Sequence, residues 1–232
     1  PICIGVLRNA LAERAEIKPV LDQAVAAMRA AGATVVETML PDEGAWEQHE
    51  QTVLLYEFKD GLERYLAASG TPHETLADLI AFNTQNAAKE MPFFAQEVFE
   101  QANAKGPLTD AAYLAARDKA RRLAGPEGID AALKKQNLDA LVAPAMSPAW
   151  LTDPINGDHF VGAGYGAAAV ARYPSITVPM GDAHGLPLGL AFMGPAWSEA
   201  RLIELAYAYE QASKARKPPT FAPTATLETP QP

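Results

Sequence analysis

Cysteine is almost missing: Cys3 is the single thiol in 232 residues. That excludes an internal disulfide framework and any zinc site built from four cysteines or from paired cysteines and histidines. It fits either a reducing compartment or a simply cysteine-poor protein, and a cytoplasmic location is expected. Histidine is scarce too. His49, His73, His159 and His184 lie far apart without a partner at i+4, so no metal site is expected. Basic charge is short, with Lys+Arg 19 against Asp+Glu 28 and a net charge of −9. This argues against a generic nucleic-acid surface or a polybasic membrane anchor. No run approaches the roughly 18 apolar residues of a spanning helix. The opening PICIGVLRNA also lacks the basic-then-apolar pattern of a signal peptide. Neither a G-x-S-x-G elbow nor a P-loop nor HExxH occurs. Gly162-x-Gly164-x-Gly166 has the wrong third spacing for a dinucleotide fingerprint. No cofactor is expected.

What remains is ample material for a core, with 49% hydrophobic and 20% charged residues. Ile2, Ile4 and Val6 open a buried strand. Val20, Leu21, Ala24, Val25 and Met28 follow on one helical face with Gly32 as its stop, and Thr34 to Leu40 reads as a second strand. Strand, helix, strand in so few residues is a βαβ unit and predicts an α/β fold.

The middle reads as helical. Val53, Leu54, Phe58, Leu62, Tyr65 and Leu66 form one apolar stripe, and Thr71-Pro72-His73-Glu74 carries helix-start signals with Thr71 as cap and Glu74 as its capping-box acceptor. Thr109-Asp110 opens another helix, which Gly125-Pro126-Glu127-Gly128 is expected to break. Phe93, Phe94, Phe99, Tyr207 and Tyr209 fall at helical spacing, where core packing is the default.

The last third returns to strands at Leu138–Ala145, Ser175–Val178 and Leu188–Met193. Gly181 to Gly185 is read as a hairpin connection and Ser198 as the cap of a final helix. A single domain over 1–232 is expected, with 217–232 an extended or frayed Pro/Thr-rich tail. Asp182-Ala183-His184 reads as an acid/base pair or, preferably, as a polar hairpin tip. Asp158-His159 sits in a Gly/Pro-bounded loop after a strand, where α/β sites are built, although solvated loop residues are the plainer reading.

Tyr173 to Glu199, YPSITVPMGDAHGLPLGLAFMGPAWSE, resembles the C-terminal half of the amidase signature family, which hydrolyses carboxamides through a lysine and two serines. Ser175 to Gly181, Gly185-Leu186-Pro187-x-Gly189-Leu190, Gly194 and Ser198-Glu199 carry the match. Leu138 to Ala145 (LDALVAPA) is similar to the family strand before the substrate loop. Tyr56 to Lys59 and Leu76 to Asn83 resemble the peptide-amidase-like branch. One departure is Arg172, where the family usually has glycine before Tyr-Pro.

The resemblance implies an α/β fold with a mixed β-sheet flanked by helices, as in the C-terminal half of the amidase signature fold. It also places the family's nucleophile loop and lysine in an N-terminal half. The serines here, Ser69, Ser147, Ser175, Ser198 and Ser213, are not flanked by paired glycines, so no catalytic residue is carried over. Amide hydrolysis by this chain alone is not expected.

The loop Ser147 to Gly166 corresponds to one that borders the family's pocket. Asp158, Phe160 and Tyr165 are the candidate substrate-binding residues. The expected partner is a small amide, once an N-terminal half completes the site, with no membrane. An alternative of another class is a non-catalytic binding module, docking to a separate N-terminal half or self-associating through an exposed sheet edge. A third reading is part of the A subunit of a tRNA-dependent amidotransferase, which the acidic balance disfavours.

Overall fold

A computed structural model describes residues 2–9, 11–219 and 221. Most of the expected tail, residue 220 and residues 222–232, lies outside them. In chain order the elements are β1 (Cys3–Leu7), α1 (Lys18–Ala30), β2 (Thr34–Thr38), α2 (Glu47–Ser69), α3 (Leu76–Gln85), α4 (Ala87–Glu90), α5 (Glu97–Asn103) and α6 (Ala111–Ala124). A π-helical turn (Gly125–Asp130) leads into α7 (Ala131–Gln136), β3 (Ala140–Pro144), α8 (Gly166–Ala171), β4 (Ser175–Ala183), β5 (Leu186–Met193) and α9 (Glu199–Ser213). The described residues fall into two compact units, one drawn from 2–43, 121–151 and 159–221, the other of 44–120 and 152–158.

The first unit holds a mixed sheet in the order β2-β1-β3-β5-β4. β1 pairs parallel to β2 and β3, whereas β5 pairs antiparallel to β3 and β4. The inner parallel strands β1 and β3 read as apolar runs because both faces are covered, and every residue of β3 is buried, whereas the edge strand β2 exposes Thr34 and Glu37. On one face, Leu21, Ala24, Val25 and Met28 of α1 and Leu202, Leu205, Ala206 and Tyr209 of α9 pack with Ile4, Val6, Val142, Leu190 and Phe192. Phe192 and Tyr209 form a tilted ring pair, 5.8 Å between centroids. The mixed α/β sheet flanked by helices is the fold class read from the sequence.

Local details differ from the expectation in instructive ways. Gly125-Pro126-Glu127-Gly128 does not break the helix: the backbone widens into a π-helical turn and continues into α7. Proline brings no N–H and crowds the preceding turn, and the wider turn absorbs both problems. A side chain on Gly128 would meet the carbonyl oxygen of Leu123 at 2.7 Å. The β4–β5 connection is shorter than Gly181 to Gly185. Only His184 (φ 53°) and Gly185 (φ 76°) form the turn, both left-handed as a type I′ hairpin requires. The strands run up to it through a bulge between Pro179 and Gly181. Ser198 precedes α9 but its hydroxyl donates to Pro195 O at 2.7 Å instead of capping the helix.

In the second unit the buried face of α2 is Leu55, Tyr56 and Leu66, so the expected stripe is offset: Leu54, Phe58 and Tyr65 are exposed. Leu55, Leu76 and Ala102 form a small core flanked by Leu62, Ile80 and Phe99. The capping box is Thr75 with Asp78, not Thr71 with Glu74. Thr75 Oγ1 accepts the Asp78 N–H at 3.1 Å, and Asp78 Oδ2 accepts the Thr75 N–H at 2.9 Å. Phe93 and Phe94, and Tyr207 in the first unit, are exposed and do not join the core expected of them.

Candidate functional site

In an open α/β sheet, ligands gather at the carboxyl ends of the strands. Here β1, β2 and β3 are parallel and end together at Leu7, Thr38 and Pro144. Just past β1, Arg8 donates from Nη2 to Asp22 Oδ1 at 2.8 Å and from Nε to Glu37 Oε1 at 3.2 Å. Burial works against its charge, but Asp22 foremost, with Glu37 and Glu13, raises its pKa above the ordinary value. Arg8 is thus a cation held among three carboxylates at the strand ends. No sequence motif marks it; its place directly after a buried strand is the one available signal.

The loop of interest leaves the carboxyl end of β3 and returns beside it. Its base is zipped: Gly164 donates to Ala145 O at 3.1 Å, Met146 pairs with Ala163, and Ser147 donates to Gly162 O at 3.3 Å. Gly164 packs so closely on β3 that an added side chain would meet Ala143 Cβ at 2.5 Å and overlap Pro144 O. Glycine is therefore required there for close approach, not for turning. Ser147 is buried, and its Oγ has no hydrogen-bond partner among the described residues.

On the limbs of the loop in the first unit, Phe160 meets Trp150 edge-on, with ring centroids 6.2 Å apart. Phe160 remains 56% and Tyr165 38% exposed, and Tyr165 immediately precedes α8. These two candidates therefore present aromatic surface to solvent from a fixed base.

The tip, residues 152–158, belongs to the second unit. There Asp153 organises the chain: its carboxylate accepts the N–H groups of Ile155 and Asn156 at 2.9 and 3.0 Å and the Asn156 side-chain amide at 2.8 Å. Those bonds, led by the Asn156 N–H, hold its pKa below the usual carboxylate range. Asp158, the third candidate, follows this turn and is exposed. Among the described residues, no group of three His, Cys, Asp or Glu side chains is placed to hold a metal ion. No described helix is long and apolar enough to cross a membrane.

After α8 the backbone turns left-handed at Arg172 (φ 62°, ψ 35°). This is a conformation that glycine adopts without steric cost, so the departure at this position is an arginine accepting a glycine's geometry. Tyr173 then donates to Asp130 Oδ2 at 2.7 Å, and β4 begins at Ser175. Gly189 of β5 lies so near Thr177 and Ala145 that an added Cβ would sit 2.6 and 3.2 Å from their side chains.

The mixed α/β fold agrees with the comparisons. The family model named Amidase matches residues 1–203, and the chain belongs to the amidase signature family. The native peptide amidase of Stenotrophomonas maltophilia superposes with a TM-score of 0.87 at 55% identity, over 95% of this chain and 44% of that one. A probable amidase of Arabidopsis thaliana is 34% identical over 209 residues, 87% of this chain and 37% of its own length. The A subunit of the glutamyl-tRNA(Gln) amidotransferase of a Ruegeria species is 29% identical over 215 residues, 86% of this chain and 42% of its own. The chain thus spans less than half the length of each of these relatives.

Proposed function

We propose that this chain supplies the C-terminal sheet core and a substrate-contact loop of an amide hydrolase acting on peptide amides, and that it does not cleave amides by itself. The observation that carries this reading is the 55% identity over 95% of the chain to a peptide amidase.

Attack on an amide needs a hydroxyl activated by a base and donors for the oxyanion. Among the described residues, no serine hydroxyl is hydrogen-bonded to a lysine or histidine. Ser69 and Ser198 donate to the carbonyl oxygens of Leu66 and Pro195. Phe160 and Tyr165 are the proposed contacts of the substrate's apolar part, and Asp158 of its polar groups.

Ammonia release from an N-acetylated dipeptide amide tests the reading. The expected result is no turnover by the chain, together with substrate-induced shifts of the Phe160 and Tyr165 ring resonances that vanish in Phe160→Ala and Tyr165→Phe. Ammonia production abolished by Ser175→Ala overturns it. The amidotransferase reading rests on lower identity, 29%, and requires a salt-sensitive gel shift with tRNA.

A further inference from the structure

Asn156-Gly157, at the tip of the loop after β3, is the one Asn-Gly pair in the 232 residues. The other asparagines, Asn9, Asn83, Asn86, Asn103 and Asn137, precede alanine, threonine or leucine. Asparagine is a thermolabile residue, most of all before glycine, where no Cβ hinders attack by the next backbone nitrogen on the side-chain amide. Asn156 is exposed, and Gly157 has φ 79° with no atom within 4 Å of where a Cβ would lie. Room for ring closure is present at this tip. The folded turn nevertheless occupies both reacting groups. Asn156 Nδ2, the leaving nitrogen, donates to Asp153 Oδ2 at 2.8 Å, and the Gly157 N–H, the nucleophile, donates to Asp153 O at 3.0 Å. Asp153 Oδ1 accepts the Ile155 and Asn156 N–H groups as well. One residue thus engages the leaving group and the attacking nitrogen together, and ring closure requires the turn to open first.

We propose that Asn156 is a self-modification site clasped by Asp153, and that its conversion to a carboxylate is a one-way switch that opens the loop tip. Gly157 N bonds to Asn156 Cγ, the Cγ–Nδ2 bond breaks, and Nδ2 leaves as ammonia with the proton of the Gly157 N–H. Water then opens the cyclic imide at either carbonyl, giving an aspartyl or an isoaspartyl linkage. The net exchange is amide plus water for carboxylic acid plus ammonia, with no oxidant or reductant. Once ionised, the new carboxylate has no proton to give to Asp153 Oδ2. Two carboxylates then face each other where a 2.8 Å hydrogen bond stood, and like charges that close repel. The isoaspartyl form also lengthens the backbone inside the turn. Asp158, two residues on, loses the turn that precedes it. The reaction uses only the chain's own atoms and water, and holds whatever the loop binds.

Peptide mapping by mass spectrometry, after incubation of the full chain in warm, mildly alkaline buffer, tests this. Asn156 should convert before any other asparagine, and faster still in the urea-unfolded chain, where the turn is absent. Asp153→Ala should raise the folded rate about tenfold, the factor that losing such bonds gives to an opening equilibrium. Asn156→Asp should raise amide exchange at positions 155 and 157. Adding Asp153→Asn to it should restore protection, because an amide at position 153 can donate to the new carboxylate. Thermal midpoints at the wild-type value show that the variants are folded. Earlier conversion at another asparagine, equal rates in folded and unfolded chain, or a folded rate indifferent to Asp153→Ala overturns the proposal. Unchanged amide exchange in Asn156→Asp also overturns it, since the product would then keep the turn.

Discussion

Cys3 and Asp139 exchange two hydrogen bonds: the Cys3 N–H donates to Asp139 Oδ2 at 2.7 Å, and the Asp139 N–H donates to Cys3 O at 2.7 Å. The second carboxylate oxygen of Asp139 accepts from Arg201 Nη2 at 3.1 Å. One side chain therefore ties the start of β1, the approach to β3 and the first turns of α9 together. It helps fix the parallel register in which Ile4 faces Ala140.

Asp139→Ala should destabilise the chain by about 1–2 kcal/mol. The lower end applies because charge-assisted bonds weaken in water, and 33% of this side chain is exposed. The Cys3 N–H holds the Asp139 pKa below the usual carboxylate range, with Arg201 assisting against burial. A depressed folded pKa gives stabilisation that is present above the unfolded value of about 4 and lost as pH falls through the folded value. Urea unfolding of wild type and variant should show a clear gap near neutral pH that closes in acid. A gap independent of pH would rule this account out.

Tyr173 gives the opposite sign. Burial first, then its bond to Asp130, pushes its pKa up to about 12. A raised folded pKa gives stabilisation that is complete below the unfolded value of about 10 and lost as pH rises through the folded value. Thermal midpoints should fall between those two values, and Tyr173→Phe should remove that portion of the alkaline loss. It should also cost about 1 kcal/mol at neutral pH through the lost hydrogen bond. Phenolate absorbance during alkaline titration checks the assignment, since the variant should lack one late-titrating tyrosine.

The elements most legible from sequence are those where periodicity and burial agree. Ile4, Val6 and the LDALVAPA run form β1 and β3, and Leu21 to Met28 form the inner face of α1. Differences arise where two local signals compete and tertiary contact chooses between them. Thr71 and Thr75 each stand three residues before an acid, and the helix starts at the second because Leu76 must be fully buried against Leu55 and Ala102. The stripe on α2 is offset because its small core draws on Leu55 in place of the expected Leu54, and periodicity alone does not say which of two adjacent leucines turns inward. In the candidate site, the aromatics Phe160 and Tyr165 can be named from the resemblance. The zipped base of their loop depends on backbone bonds between positions far apart in sequence, which no short motif encodes.

That base supplies the last prediction. Gly164 lies against Pro144 O and Ala143 Cβ, so Gly164→Ala must push the loop off the end of β3 or bend a strand that is buried throughout. Backbone and a buried alanine are the obstacles, and neither can rotate away as a flexible side chain can. The cost should be about 2–3 kcal/mol. It should appear both as a lower urea midpoint and as greater amide exchange at Ser147 and Gly164, whose N–H groups close the base. Gly166 is the internal control: no atom lies within 4 Å of where its Cβ would sit, and it begins α8. Gly166→Ala should leave the midpoint unchanged or slightly raised, because alanine favours helix over glycine. Equal losses from the two substitutions would mean that the site tolerates no change in glycine content. A loss confined to Gly164 would tie it to close packing at the carboxyl end of β3, the feature that presents Phe160 and Tyr165 from a fixed base.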